Sequence, residues 1–513
     1  MTSTTPQPAS TASNRAEKIF GALVTLFCAA FIAMDLFIIL SRIFYPYQLE
    51  WMEGASLVEV DHILQGRILF APPSIYFVPL IYPPLYFYIS AGIAKIIGIG
   101  FGALRLASFL SSAVCAAVLY AAVHSRTKNK FAGLLAVGCF ASAFMLTGQW
   151  FDIARVDMLA AALSMLGIYL ARERDREAAP ITALLAGIVF GLGFMTKQSA
   201  LGIALAAIVY LLIFNWRRAF WLAFSFVIST GVVYSIFWLD SAGWINYYLF
   251  TIPRAHAFSF EAGRIISVLI SQFAPIPVFL IVGLLPFVLS PRKTSLDRDH
   301  RYYLAMAGAL IATSIIGRLN AFSGPNVYVS TYLGIALLVG LEAEWLLEIT
   351  RQSNLQKSAA PLIILEWILL SVQFAFLLPA FIQTKTIPTQ QDKATGDALV
   401  ARIKNYNGDV LAPDVNYLTL YAGKTPYYNE MAMSEIRGEG NLYPMPEWPA
   451  LETQINALIH APTTSAVLVD FLPPLGNLIT NCKQQNITYP NKTTFAPVAG
   501  PPSARPNIII TCN

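Results

Sequence analysis

The chain has 513 residues, of which 56% are hydrophobic and only 12% are charged, and its formal net charge is +5. Soluble domains carry roughly twice that charged fraction. The composition therefore excludes a water-soluble protein and predicts a polytopic membrane protein, mainly α, whose surplus apolar surface faces lipid.

The first residues, 1–16, are rich in Ser, Thr and Pro and carry no charge before Arg15. The apolar stretch that follows is too long for the core of a signal peptide, and no small-residue cleavage site comes after it. We therefore predict a disordered cytoplasmic tail that leads directly into the first membrane helix.

Long apolar stretches follow one another up to about residue 382. A transmembrane helix needs about 20 mainly apolar residues. We predict eleven spans, at about 18–44, 102–123, 131–150, 157–171, 180–196, 199–215, 219–239, 265–289, 302–317, 328–347 and 361–382. The stretch 83–97 is a twelfth candidate, and whether it crosses the membrane decides the topology.

Basic residues select the topology, because cytoplasmic loops carry an excess of Lys and Arg. If 83–97 is an interfacial or re-entrant helix, the N-terminus and all the basic loops lie inside. These loops contain Arg126, Lys128, Lys130, Arg172, Arg174, Arg176, Arg217, Arg218, Arg292, Lys293, Arg298, Arg301, Arg351 and Lys357. The first loop (45–101), the turn 150–156, the loop 240–264 and everything after about 383 are then predicted to lie outside.

The region 383–513 has a different composition from the rest of the chain. Helix-like DALVARIKNY alternates there with strand-like DVLAPD and SAVLVDF. We predict a small α/β extracytoplasmic domain that follows a transmembrane domain over 17–382. In an oxidising compartment Cys482 and Cys512 could form a disulfide.

Two glutamates stand three residues apart where the chain leaves the first span, in YPYQLEWMEG. On a helical turn Glu50 and Glu53 would share a face. A carboxylate that is partly desolvated at a membrane surface can act as a general base. The alternative is a pair of ordinary solvated acids in a loop, and spacing alone does not choose between the two.

The second outer turn, WFDIARVDM, places Asp157 at the start of an apolar helix, with Asp152 and Arg155 close by. An acid there also complements the helix dipole, which is a structural alternative to a catalytic role. Lys197 ends the run GLGFMTK. It is either a lysine whose charge reaches out of the membrane at a helix end or a ligand for a lipid phosphate.

Further polar residues lie on the predicted outer side, where positive charge is otherwise scarce. Arg254 and His256 occur in an aromatic loop, and Arg318 and Asn320 occur in GRLNAFSG. They suit the binding of an amphiphilic, anionic substrate, and pairing with nearby carboxylates is the alternative.

The order of these motifs resembles the GT-C superfamily of membrane glycosyltransferases, in the branch of the protein O-mannosyltransferases and the lipid A aminoarabinose transferase. The resemblance covers residues 18 to about 330. It rests on the acidic motif Glu50-Trp51-Met52-Glu53-Gly54, the Tyr82-Pro83-Pro84-Leu85-Tyr86 helix start, Arg105, Val156-Asp157-Met158 and the Gly191–Lys197 turn.

The resemblance implies a GT-C-like bundle with interfacial helices in its first outer loop, and an enzyme of the cell (inner) membrane. It implies inverting transfer of a sugar from a polyprenyl-phosphate-linked donor to a lipid, glycan or protein acceptor, with no nucleic acid involved. Family members place adjacent Asp-Glu in the first loop. Here Glu53 is the preferred base, because glycine follows it, and Glu50 is the alternative.

Further roles follow from the same resemblance. Asp157 shares the site, and a divalent cation between the carboxylates stays open. The aminoarabinose enzyme has a lysine where this chain has Tyr82. The donor phosphate would bind Lys197, Arg254, Arg105 and Arg318, whereas donor or acceptor contacts would come from Tyr82, Asp152, Arg155, His256 and Asn320.

Two other classes of protein are alternatives to a glycosyltransferase. A transporter or flippase of lipid-linked sugars would gather its polar groups near the middle of the bilayer, on broken helices. A membrane scaffold would leave the acids and Lys197 scattered. A transferase requires them to meet at one end of the bundle.

Overall fold

The structure is a computed structural model, which describes residues 11–172, 179–289, 298–320, 323–352, 356–439, 441–470, 479, 482–500 and 505–512. Residues 1–10 of the predicted tail, and Arg174, Arg176, Arg292 and Lys293 of the predicted inner loops, lie outside the described residues. Helix α1 begins at Thr11, so residues 11–16 of the predicted tail are helical.

The described chain is mainly helical, as predicted. Its first part is formed by α1 (Thr11–Arg42), α2 (Glu53–Leu64), α3 (Leu85–Ile97), α4 (Phe101–Thr127), α5 (Lys130–Ser142), α6 (Asp157–Ala171), α7 (Ala179–Phe194), α8 (Ala200–Phe214) and α9 (Trp216–Asp240). Helices α2 and α3 lie in the predicted first outer loop, and Pro83 and Pro84 precede α3, where an imino nitrogen costs no hydrogen bond.

The second part begins with the short α10 (Trp244–Asn246), a π-helix (Tyr247–Thr251) and α11 (Ile252–Ala255). It continues with α12 (Ala262–Phe273), α13 (Pro277–Leu289), α14 (Arg298–Arg318), a 3₁₀ turn (Pro325–Val327), α15 (Tyr328–Gln352) and α16 (Gln356–Gln383).

Within the described residues, four segments are long and apolar enough to cross a membrane: Lys18–Arg42, Phe101–Thr127, Trp216–Asp240 and Ile363–Gln383. Five further apolar helices are shorter, with 10–17 residues each: α3, α5, α6, α7 from Pro180 onward, and α8. The chain is therefore a multi-pass membrane protein, and the count of eleven spans stays a prediction.

Two predicted spans differ from the structure. The span at 265–289 is broken into α12 and α13, which are bent by 87° relative to each other. Pro275 lies in the break, where it cannot donate a helical hydrogen bond. The span at 131–150 ends at Ser142, and residues 143–156 form a series of turns instead of a helix.

The C-terminal region is a small α/β unit, as predicted. It contains α17 (Gln390–Lys404), a 3₁₀ turn (Pro413–Val415), α18 (Tyr417–Tyr421), α19 (Glu430–Arg437) and α20 (Trp448–Ile459) around strands β1 (Asp409–Leu411), β2 (Thr464–Val469), β3 (Lys483–Asn486) and β4 (Ile508–Thr511). The strand order is β1-β2-β4-β3, with β1 and β2 parallel and the other neighbours antiparallel. Cys482 and Cys512 form a disulfide that joins β3 to the end of β4.

One hydrophobic core joins this C-terminal unit to the first outer loop. Leu57 of α2 and Phe87 of α3 are buried in the same cluster as Val467 and Ile510 of the sheet. Tyr417 packs its ring edge against Phe101 at the start of α4. The C-terminal unit therefore fixes the first loop in place above the helical bundle.

Candidate active site

A cavity of about 660 Å³ lies where the first loop, the bundle and α19 meet. Its polar wall contains Glu50, Tyr82, Arg155, Asp157, Lys197, Gln198, His256, Asn320, Asn326 and Glu435. Several of these residues stand at helix ends: Asp157 is the first residue of α6, and Lys197 follows the end of α7 by three residues. The predicted site residues that meet at this cavity are Glu50, Tyr82, Arg155, Asp157, Lys197, His256 and Asn320.

Asp157 and Lys197 form an ion pair on this wall. The Lys197 Nζ lies 2.5 Å from Asp157 Oδ1, and the lysine side chain is 16% exposed. The Asn326 amide donates to the same oxygen at 2.8 Å, and the Trp150 indole donates to Oδ2 at 2.9 Å. Asp157 therefore fixes the lysine ammonium at the cavity, and its own charge is compensated.

Glu50 forms a second pair, with Arg155. The Arg155 Nη1 donates to Glu50 Oε2 at 3.2 Å, and the Met52 backbone N–H donates to that oxygen at 3.0 Å. Arg155 also donates to the Tyr82 hydroxyl at 2.9 Å. We call Glu50–Arg155 and Asp157–Lys197 the cavity pairs.

The pair of Glu50 and Arg155 leaves two buried atoms without a partner among the described residues: Glu50 Oε1 and Arg155 Nε. Unsatisfied buried polar atoms are rare in native proteins and often mark a functional site. Burial raises the pKa of the Glu50 carboxyl to about 7, although the charge of Arg155 opposes the rise. One acceptor oxygen on the cavity wall is therefore available for a proton near neutral pH.

Gly500 supports Glu50 from the C-terminal end of the chain. A Cβ at this position would lie 3.1 Å from Glu50 Cγ, and the backbone φ of +68° favours glycine. The neighbouring Ala499 N–H donates to the Leu49 carbonyl at 2.9 Å. Residues 499 and 500 of the C-terminal region thus pack against Glu50 and its neighbour Leu49.

The structure places Glu53 away from the cavity wall. It is fully buried, and Arg105 donates to both of its oxygens, at 3.0 and 2.6 Å. The backbone N–H groups of Leu49 and Ala154 donate to it at 2.6 and 2.7 Å. The carboxylate of Glu53 thus has four donors, and it ties the first loop to α4.

Asp152 is similarly enclosed. Its oxygens accept from Arg42 at 2.8 and 2.5 Å, and both side chains are fully buried. Neither residue lines the cavity. We call Glu53–Arg105 and Asp152–Arg42 the supporting pairs, because they join distant parts of the chain beneath the site.

The predicted outer cations take different positions. Arg254 is exposed and does not line the cavity. Arg318 donates to the Tyr328 hydroxyl at 3.1 Å and to the Ser323 hydroxyl at 3.0 Å, so it braces the loop before α15. His256 and Asn320 do lie on the cavity wall, as candidate contacts.

An apolar groove leads away from the polar wall. It is lined by small side chains of α6, α8 and α14, among them Ala160, Ala161 and Gly202. Two lining residues, Leu205 and Ile316, are 47% and 57% exposed on the outside of the bundle. The cavity therefore combines a polar head region with an apolar slot beside the lipid-facing surface.

The described residues do not fit a site for a divalent cation. Each carboxylate on the wall already has a nitrogen partner: Arg155 for Glu50, Lys197 for Asp157 and His256 for Glu435. Among the described buried carboxylate oxygens of this wall, a cation would find only Glu50 Oε1 without a partner, and it would have to displace positively charged or hydrogen-bonded groups from its other ligands.

Some residues in or next to the cavity wall carry no sequence signal of their own. Trp150 and Asn326 bind Asp157, and Gly500 and Glu435 come from the C-terminal region. An aromatic residue, an asparagine and a glycine are too common for their position alone to indicate a site. The polar run before α15, in SGPN, is the one local signal that could have drawn attention to Asn326.

Comparisons with known proteins agree with this architecture. Residues 82–239 match the family described as dolichyl-phosphate-mannose-protein mannosyltransferase. The crystal structure of ArnT from Cupriavidus metallidurans bound to undecaprenyl phosphate has 13% sequence identity and a TM-score of 0.58, over 94% of this chain and 97% of that chain. Its apo structure has 12% identity, with the same coverage and TM-score.

The oligosaccharyltransferase of Archaeoglobus fulgidus in its apo form gives a TM-score of 0.49 at 12% identity, over 88% of this chain and 69% of that chain. No curated protein sequence matches the chain significantly. At such identities the likeness to ArnT shows the fold. The predicted resemblance is confirmed at the level of the fold: the chain has an ArnT-like fold, and part of it matches the mannosyltransferase family model.

Proposed function

We propose that this protein is an inverting glycosyltransferase that moves a sugar from a polyprenyl-phosphate-linked donor to an acceptor hydroxyl at the outer face of the membrane. The observation that carries the proposal is the unpartnered Oε1 of Glu50, buried beside Arg155 in the cavity that also holds Lys197. A base, two cations and an apolar groove are the parts that this reaction requires.

In the proposed step, Glu50 Oε1 takes the proton of the acceptor hydroxyl. The hydroxyl oxygen forms a bond to the anomeric carbon of the donor sugar. The bond from that carbon to the phosphate oxygen breaks, and the lipid phosphate leaves with the electron pair. One displacement of this kind inverts the anomeric centre.

The leaving lipid phosphate is a weak base, so it requires charge stabilisation rather than protonation. Lys197 Nζ and the free Nε of Arg155 are the donors available on the cavity wall. Asp157 holds the lysine in position at 2.5 Å. We thus assign Asp157 a positioning role and Lys197 the main contact with the phosphate.

The groove beside Ala160, Ala161 and Gly202 has the composition and the opening that a polyprenyl tail needs. Exposed Leu205 and Ile316 put its rim next to lipid. A donor could therefore enter sideways from the bilayer and keep its chain in apolar surroundings.

Two observations support the proposed sidedness. The described cavity residues meet where α1 and α7 end and where α6 begins, which is one end of the bundle rather than its middle. The Cys482–Cys512 disulfide lies in the region that follows α16, and disulfides persist in oxidising compartments. Both suit an inner-membrane protein with a cytoplasmic N-terminus, and the first disfavours a transporter.

The test uses the purified full chain in lipid nanodiscs and cells that lack the protein. We expect the protein to bind undecaprenyl phosphate, measured as a rise in its melting temperature, and the deletion to remove a sugar from one envelope component. Inability to bind undecaprenyl phosphate, together with an unchanged envelope, would contradict the proposal.

A further inference from the structure

His256, Glu435 and Asn320 form a second cluster of polar side chains on the cavity wall, which the proposed reaction does not use. Its Nε2 lies 2.7 Å from Glu435 Oε2, and the Asn320 amide lies 3.1 Å from its Nδ1. His256 and Glu435 are buried, and all three residues line the cavity.

The three residues come from three distant segments of the chain, and backbone hydrogen bonds connect these segments. The Leu442 N–H donates to the Ala255 carbonyl at 2.7 Å, and the Ser259 N–H donates to the Leu319 carbonyl at 3.0 Å. Isolated bridges pair His256 with Asn441 and Phe258 with Asn320. The chain thus fixes this polar group at the cavity through contacts between the bundle and the C-terminal unit.

Apolar surface adjoins this polar group. The Phe258 ring lines the cavity and is 46% exposed, and Met431 of α19 lines it as well. Planar carboxylate and amide groups can bind adjacent hydroxyls, and an aromatic ring can pack against the C–H face of a sugar. Together these groups have the chemistry of a saccharide subsite.

We propose that this acceptor wall (His256, Phe258, Asn320, Met431 and Glu435) binds the acceptor, and that the acceptor is a saccharide. The inference rests on the proposed function, in which Glu50, Arg155 and Lys197 handle the base and phosphate chemistry and the apolar groove holds the donor tail. The acceptor wall lies in the same cavity and takes no part in the proposed proton transfer or phosphate binding.

The test compares cells that carry the wild type, Glu435→Gln, Phe258→Ala, Tyr247→Phe or no copy of the protein. Glutamine keeps an oxygen for the His256 contact but removes the negative charge. Tyr247→Phe is the matched control, because the Tyr247 hydroxyl donates to Glu447 at 2.5 Å between the same two regions and outside the cavity.

Envelope glycans, glycolipids and proteins are compared by mass spectrometry, and undecaprenyl phosphate affinity is measured on each purified protein. We expect the wild-type product to carry its added sugar on a saccharide hydroxyl. Loss of about 1.4 kcal/mol of acceptor binding would reduce that product about tenfold in Glu435→Gln, with a smaller loss in Phe258→Ala and none in Tyr247→Phe. Undecaprenyl phosphate affinity should stay unchanged in all three variants.

Three results would overturn the inference: an added sugar on a Ser or Thr side chain, wild-type product levels in Glu435→Gln, or an equal loss of undecaprenyl phosphate affinity in that variant. The last result would indicate that the acceptor wall binds the donor or stabilises the fold. Failure of the proposed function gives a different pattern, because the wild type itself would then not bind undecaprenyl phosphate.

Discussion

The supporting pairs and the cavity pairs contain the same kinds of residue, yet the structure uses them differently. Each carboxylate of the supporting pairs accepts two hydrogen bonds from one guanidinium, from its Nε and its Nη2, and is fully buried. Each cavity pair is joined by one hydrogen bond and reaches the cavity, and Glu50 Oε1 and Arg155 Nε have no partner within the part of the chain that the structure describes.

This difference indicates that the supporting pairs stabilise the fold, whereas the cavity pairs can contact a substrate. A buried carboxylate whose lone pairs are all used has nothing left to offer a substrate, and breaking its pair leaves an uncompensated charge. A buried carboxylate with one free oxygen can accept a proton. Counting the remaining hydrogen-bonding capacity therefore favours Glu50 over Glu53 as the base, although the motif alone favoured Glu53.

Replacing each glutamate in turn by glutamine distinguishes the two kinds of pair most directly. We expect Glu50→Gln to fold normally and to lose about 10²–10⁴-fold in transfer rate, the usual contribution of a general base. Product formation by purified protein, with expression and melting temperature as controls, measures this. If Glu53→Gln lost activity at unchanged stability while Glu50→Gln stayed active, the assignment of the two glutamates would be reversed.

A second prediction concerns the supporting pairs. Arg105→Met leaves Glu53 buried without its cation, and we expect a loss of about 3–5 kcal/mol in the free energy of unfolding. The yield of folded protein and its melting temperature check this. The double variant Arg105→Met/Glu53→Gln should recover part of the loss, and a stable, inactive Arg105→Met protein would instead indicate a role in the reaction.

The third prediction concerns phosphate binding. Lys197→Met removes a charge-assisted contact that is worth about 1.5–3 kcal/mol, so undecaprenyl phosphate affinity should fall about 10- to 100-fold. Arg254→Met is the matched control, because Arg254 is exposed away from the cavity and its loss should leave affinity unchanged. Equal effects of the two substitutions would point to general surface charge.

The smallest expected effect is on pH dependence. Burial raises the pKa of Glu50 to about 7, so the base is increasingly protonated as the pH falls below that value. We expect kcat/KM to fall about tenfold per pH unit there and to level off above it. A profile that is flat between pH 5 and pH 8 would argue against Glu50, whereas the residual activity of Glu50→Gln should lack this ionisation.

Local sequence was enough for much of the fold. Apolar stretches become helices near the predicted positions, such as 157–171, because the composition of about 20 consecutive residues decides whether a segment can lie in lipid. The break in 265–289 was missed: Pro275 marks it, but how far the chain bends there depends on what the two halves pack against.

Local sequence patterns are enough to predict the membrane class, the α/β character of the C-terminal region and the positions of Asp157 and Lys197 near helix ends. Tertiary contacts determine which glutamate reaches the cavity, because Arg105 of α4 and Arg155 of the turn before α6 each pair with one of them. It also brought Glu435 and Gly500 to the site. Such contacts join residues more than fifty positions apart, and spacing along a chain carries information only about neighbours within a few turns.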